Sequence, residues 1–116
     1  MQSVARLVVG ASTARAAEAH KQLADPETTW RTFVAALRAA DLPAVRRCLT
    51  PQMRQKVEAV FSQMSPAELR AMADSFTDFK VIGKFETYGT AVVTAKGRGG
   101  LIHFINTAGE WRIAEM

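Results

Sequence analysis

Three side chains in this sequence have chemistry beyond packing: His103, Glu115 and Cys48. An imidazole titrates near neutral pH, so His103, the one histidine of the expected folded part, is the first residue to weigh as a general base. A base needs an orienting acid and a reacting group beside it. The strand phase deduced from the sequence gives His103 a row of Lys84, Thr94 and Ala114 on the outer face of a sheet, which favours a surface or interface histidine over a catalyst. Glu115 is the better acid. It is expected on the core face with Ile102 and Trp111, projecting into a pocket mouth where desolvation would raise its pKa towards that of a base. The competing reading is a solvated residue near the end of the sequence. Cys48 follows Arg46 and Arg47, cations that lower a thiol pKa, yet beside Leu49 it reads more simply as a small core residue. The sequence holds no Ser-His-Asp set and no paired carboxylates, and Gly97-Arg98-Gly99-Gly100 is a hairpin turn rather than a phosphate cradle. With one cysteine and two scattered histidines, no metal centre and no cofactor are expected, and the balance leans away from an enzyme.

The 116 residues suit one domain, and 48% hydrophobic with 22% charged residues makes the chain globular rather than disordered. The apolar run Leu7–Ala11 is too short to cross a bilayer. A net charge of +4 is spread without a dense block: Arg46-Arg47 and Lys96-Gly97-Arg98 are the closest approaches, and neither has an aromatic beside it, which argues against nucleic acid as a partner. Arg6 before Leu7-Val8-Val9-Gly10-Ala11, then Ala14-Arg15-Ala16, imitates a signal peptide with a short apolar region. The Ala-rich stretch from Ser12 to Leu23 favours helix. Residues 1–24 are therefore expected as a helical extension and 25–116 as the domain. The expected location is cytoplasmic by default, or exported or membrane-anchored if the true start lies upstream.

Asp25-Pro26, Thr50-Pro51 and Ser65-Pro66 each set a capping side chain before a proline at the first helical position, where its missing N–H costs nothing. Ser65-Pro66-Ala67-Glu68 is also a capping box. The helix after Asp25 presents Trp30, Phe33, Val34 and Leu37 as one stripe, and Asp41-Leu42-Pro43 opens a short turn of helix to Arg47. The helix after Thr50 should bury Met53, Val57, Val60, Phe61 and Met64, and the one after Ser65 should bury Leu69, Met72 and Ala73.

Beyond Ser75 the hydrophobic period changes to two, giving strands at 78–86, 91–96, 101–106 and 111–116. Four-residue connections set Ala95 opposite Ile102, Val93 opposite Phe104, Phe104 opposite Ile113 and Asn106 opposite Trp111. One face then collects Phe79, Val81, Phe85, Ala91, Val93, Ala95, Ile102, Phe104, Trp111 and Ile113 as core. The other carries Lys80, Ile82, Lys84, Val92, Thr94, Lys96, Leu101, His103, Ile105, Arg112 and Met116. A fully solvated face would alternate to polar residues throughout, so this half-apolar mixture points to association.

Helices followed by such a meander, closing on Gly109-Glu110-Trp111-Arg112-Ile113-Ala114, resemble the nuclear-transport-factor-2-like (cystatin-like, SnoaL-like) superfamily. Thr29-Trp30 to Leu37, Asp41-Leu42 and Cys48-Leu49-Thr50-Pro51 look like the first helices of its small bacterial members of unknown function. The resemblance covers residues 26–116 and implies an α+β fold, with N-terminal helices packed in the concave face of a curled, cone-shaped, four-stranded antiparallel meander. It also implies a pocket in the cone and frequent homodimers. Ketosteroid-isomerase-like members use an acid and a tyrosine inside the cone, whereas the single tyrosine here, Tyr88, is expected in a turn. The first functional reading is a non-enzymatic interaction domain that pairs with itself through Ile82, Val92, Leu101, His103, Ile105 and Arg112. The second is a binder of a small apolar ligand, or an isomerase or lyase, with a pocket lined by Trp30, Phe33, Leu37, Met64, Met72, Phe104, Trp111 and Glu115.

Overall fold

Each of the four helices between Pro26 and Ser75 begins where a side-chain oxygen precedes or joins a proline. The structure is a computed structural model and describes residues 17, 18 and 20–116, so the signal-like segment from Arg6 to Ala16 lies outside the described residues. Asp25 caps α1 (Pro26–Arg38) by accepting from the Thr28 N–H at 2.7 Å. Asp41 caps the short α2 (Leu42–Arg47), and Thr50 caps α3 (Pro51–Gln63). Ser65 and Glu68 exchange both bonds of a capping box at the start of α4 (Pro66–Ser75). The Thr28 backbone N–H bond holds the Asp25 carboxyl below its ordinary 3.8. Replacing Asp25 by Ala is expected to cost about 1 kcal/mol at neutral pH. A depressed folded-state pKa contributes stability that is present above 3.8 and lost as pH falls through the lower folded value. Urea titrations at pH 7 and in strong acid should therefore show the charge-dependent part of the deficit shrinking in acid.

The stripe of α1 is buried at Trp30, Phe33, Ala36 and Leu37, with Val34 half-buried. On α4, Leu69 and Ala73 are buried and Met72 half-buried. The apolar set of α3 is narrower than the sequence suggests: Met53 and Phe61 are buried, Val57 and Met64 are half-buried, and Val60 is exposed. The helix packs against α2 and the last strand along its Met53–Val57–Phe61 row, which leaves Val60 beside that row in solvent.

The second half is a four-stranded antiparallel sheet in the order β1 (Phe76–Lys84), β2 (Tyr88–Ala95), β3 (Arg98–Thr107), β4 (Glu110–Glu115), with the helices packing against it. It is an α+β architecture. The strands start one to three residues earlier than the sequence reading places them, for β3 and β4 because the hairpins before them are tighter. Lys96 and Gly97 (φ 51° and 79°) and Ala108 and Gly109 (φ 55° and 84°) occupy the left-handed region, the geometry of two-residue hairpin turns. The β2–β3 register moves accordingly: Ile102 faces Ala91 rather than Ala95, and Gly100 rather than Phe104 faces Val93. The displacement is an even number of residues, so the faces are preserved. Ala91, Val93, Ile102, Phe104, Trp111 and Ile113 are all buried, and Phe104 pairs with Ile113 and Asn106 with Trp111 as the sequence predicts.

β1 departs further. Register shifts fall between Thr77 and Lys80, where Asp78 has φ 57°, and between Val81 and Gly83. The second inserts Ile82 as an extra residue, so Lys84 pairs with Gly89 and turns to the core side. Its Nζ stands 5.6 Å over the Trp111 ring, which corrects its expected outer position. Phe85, expected in the core, lies beyond β1 and is exposed.

Chain outside the sheet closes the β4 edge. The Ile113 N–H donates to the Cys48 carbonyl at 2.8 Å, and the Thr50 N–H donates to the Ile113 carbonyl at 2.9 Å. The Trp111 N–H donates to the Leu23 carbonyl at 2.7 Å. Leu23, assigned to the extension from sequence, is itself a core residue, following helical residues that end at Gln22. The Thr29 hydroxyl donates to the Trp111 carbonyl at 2.7 Å and ties α1 to the same strand.

Candidate functional site

Pairing across the sheet sets the residues of the outer face in rows. Lys80, Val92 and Leu101 form one, Gly83, Thr90, His103 and Glu115 the next, and Tyr88, Ile105 and Arg112 a third. Ile82 (57% exposed), Leu101 (53%) and Ile105 (43%) are large aliphatics left in solvent, while Val92 and His103 are half-buried. The helices pack on the opposite face, so the interface residues expected from sequence fall together on one surface.

Two aromatics join them. Tyr88 is the first residue of β2 rather than part of a turn, and it is 45% exposed. Phe85 (66% exposed) stacks on the Tyr88 ring at 5.8 Å and 6°, and Tyr88 stacks on the His103 ring at 6.3 Å and 19°. The Thr90 hydroxyl lies 3.3 Å from His103 Nδ1 and 3.2 Å from the Tyr88 hydroxyl. The alternation Tyr88, Thr90, Val92, Thr94 was the signal for Tyr88; Phe85 had none, because its place depends on the Ile82 insertion.

Arg112 is drawn to the β4 margin, where it donates to Glu110 at 2.9 Å and to the Arg47 carbonyl at 3.1 Å. Glu115 is not on the core face. Its register with His103, one step after Phe104 pairs with Ile113, leaves Ala114 as an extra residue and carries Glu115 across to the outer side. There it is exposed and accepts from Lys56 Nζ at 2.6 Å, and that hydrogen bond and the ammonium charge hold its carboxyl below the ordinary range. A solvated carboxylate with a lowered pKa is a poor proton acceptor.

The residues expected to line an interior pocket pack on one another. Trp30 stacks on Phe79 at 5.0 Å and meets Phe33 at 5.3 Å, while Phe79 meets Phe104 edge-on at 6.2 Å. Phe33, Leu37 and Phe104 retain no free surface (0%), and Trp30 and Trp111 are also buried. Met64 and Met72 instead border a surface groove of about 320 Å³ beside Glu68 and Lys96. Burial pushes the Cys48 thiol up to about 11 against the opposing pull of Arg47 and Arg112, so it stays protonated at neutral pH and is a poor nucleophile. Among the described residues no three His, Cys, Asp or Glu side chains converge as a metal site, and no helix is long and apolar enough to cross a membrane. Comparison with known proteins finds no matching family model, no matching curated protein and no matching solved structure.

Proposed function

We propose that this chain is a non-enzymatic interaction domain of nuclear-transport-factor-2-like architecture that pairs with a second copy of itself through the outer sheet face. The observation that supports this most is the continuous exposed set of Ile82, Tyr88, Leu101 and Ile105, extended by Phe85, on the face turned away from the helices. Apolar groups of this size in water favour burial against a matching surface, and a pre-stacked Phe85–Tyr88–His103 ladder loses little side-chain freedom when covered. The face carries charge of both signs, with Glu115 already bound to Lys56 of its own chain. Lys80 lies on β1 at one margin, and Glu115 lies on β4 at the other. A two-fold axis parallel to the strands lays β1 of one copy over β4 of the next, bringing each Lys80 towards a Glu115 of its mate. The family architecture rests on helices followed by a meander and on the closing run Gly109–Ala114, with the cone as its expected overall form.

Sedimentation velocity at high micromolar concentration is expected to show a dimer. The double variant Leu101→Glu, Ile105→Glu, which changes two exposed positions, should weaken association about a hundredfold or more while leaving the circular dichroism unchanged. A wild-type protein that stays monomeric throughout, or a double variant that dimerises as well as wild type, overturns the proposal.

A further inference from the structure

A groove of about 480 Å³ runs between α1 and α2 with Ala35, Ala36, Ala39 and Ala44 on its floor. Beside it a more enclosed recess of about 40 Å³ is bordered by Leu23, Cys48 and Arg112, and Gln22, Thr32, Ala44 and Arg47 line both spaces. We propose that this cleft binds a small organic carboxylate, with the carboxylate end in the recess between Arg47 and Arg112 and the apolar body over the alanine floor.

Charge, size and shape each support this. Arg47 and Arg112 border the recess together with the buried Cys48, whose thiol pKa both cations pull down against burial. Arg112 is held in place by Glu110 and by the Arg47 carbonyl, and its charge is largely matched by that carboxylate. Arg47 has no carboxylate within 4.0 Å among the described residues, so the surplus charge at the recess belongs to it. The groove's other charges are spent locally: Arg31 on Glu27 at 3.7 Å and Asp41 on the Ala44 N–H at 3.2 Å. The recess, about 40 Å³, is of a size to take a small polar group such as a carboxylate. The four alanines give the groove an apolar stretch between the polar side chains of Gln22, Thr28 and Thr32, and that stretch suits an aliphatic or aromatic body.

The test is a calorimetric and ¹⁵N-NMR titration of the full chain with sodium benzoate, and in parallel with benzamide, benzylamine and inorganic phosphate. Benzoate is expected to bind saturably, shifting the amides of Ala36, Ala44, Arg47 and Cys48, and Arg47→Gln should weaken it about tenfold or more without altering the fold. The Leu101→Glu, Ile105→Glu variant should bind benzoate as wild type does, since the sheet face takes no part. Benzamide or phosphate binding as tightly as benzoate, an Arg47→Gln variant of unchanged affinity, or no saturable shift in the cleft would each overturn the assignment.

Discussion

Truncating Phe33 to alanine is expected to lower the free energy of unfolding by about 3–5 kcal/mol. The ring has no exposed surface, meets the Trp30 ring at 5.3 Å and the Phe61 ring edge-on at 6.5 Å, and so joins α1 to α3. Its removal takes away buried area and opens a cavity between rings that are themselves anchored: Trp30 by its stack on Phe79, and Phe61 by its place in the Met53–Val57–Phe61 row. Neighbours held in this way cannot collapse into the space, so the cavity cost adds to the lost transfer energy. Against a total of roughly 5–15 kcal/mol for a domain, the variant should be near the edge of folding at room temperature. Urea unfolding measures the loss, with Phe33→Leu as the milder control. A Phe33→Ala deficit below about 1.5 kcal/mol would show that the aromatic cluster is not the mechanical centre of the core.

Thr29→Val is the second large effect, of about 1–3 kcal/mol, and has a different cause. Valine fills nearly the same space as threonine, so no cavity forms, but the buried hydroxyl that donates to the Trp111 carbonyl at 2.7 Å is lost. The carbonyl is then left short of a partner away from water, and the penalty is its desolvation rather than the average worth of a hydrogen bond. Thr29→Ser keeps the donor and should recover part of the loss. Because the bond clips α1 to β4, amide exchange at Trp111 and Ile113 should speed up in Thr29→Val more than exchange along β2. Equal stability of Thr29→Val and wild type would remove this bond from the account of how helix and sheet are joined.

The helix starts were legible because their determinants are local: a capping oxygen, then proline at a position needing no N–H. Inward and outward faces of β2, β3 and β4 as far as Ile113 were legible because alternation along a strand is also local. Turn length was not. Type I′ hairpins announce themselves by Asn-Gly or Asp-Gly, whereas here Lys96 and Ala108 take up the positive φ beside their glycines, so the β2–β3 pairing slid along the strands while the faces held. Single-residue insertions were the costliest omissions. Ile82 turned Lys84 inward, and Ala114 turned Glu115 outward, and neither insertion has a sequence mark, since each depends on partners across the sheet. The acid proposed for a pocket was therefore misplaced, whereas Leu101, His103 and Ile105 on an uninterrupted strand fell on the outer face as read. The α1–α2 cleft was invisible for a related reason: Arg47 and Arg112 are far apart in sequence and meet only because the residues after α2 run alongside β4.

That same closure of β4 by Leu23 and the Cys48–Thr50 segment limits what the protein can build. Backbone groups on that margin are already engaged, and at the opposite margin the irregularities at Asp78 and Ile82 bend β1 out of line for a neighbour. Sheet-to-sheet growth by strand addition, the route to fibrils, is blocked on one flank and discouraged on the other. The apolar surface of the described sheet is a broad side and not a rim, and in the proposed pairing around a two-fold axis no copy of it is left over. In the proposed pairing, assembly driven by it ends in a closed pair instead of a filament, even when the protein is abundant.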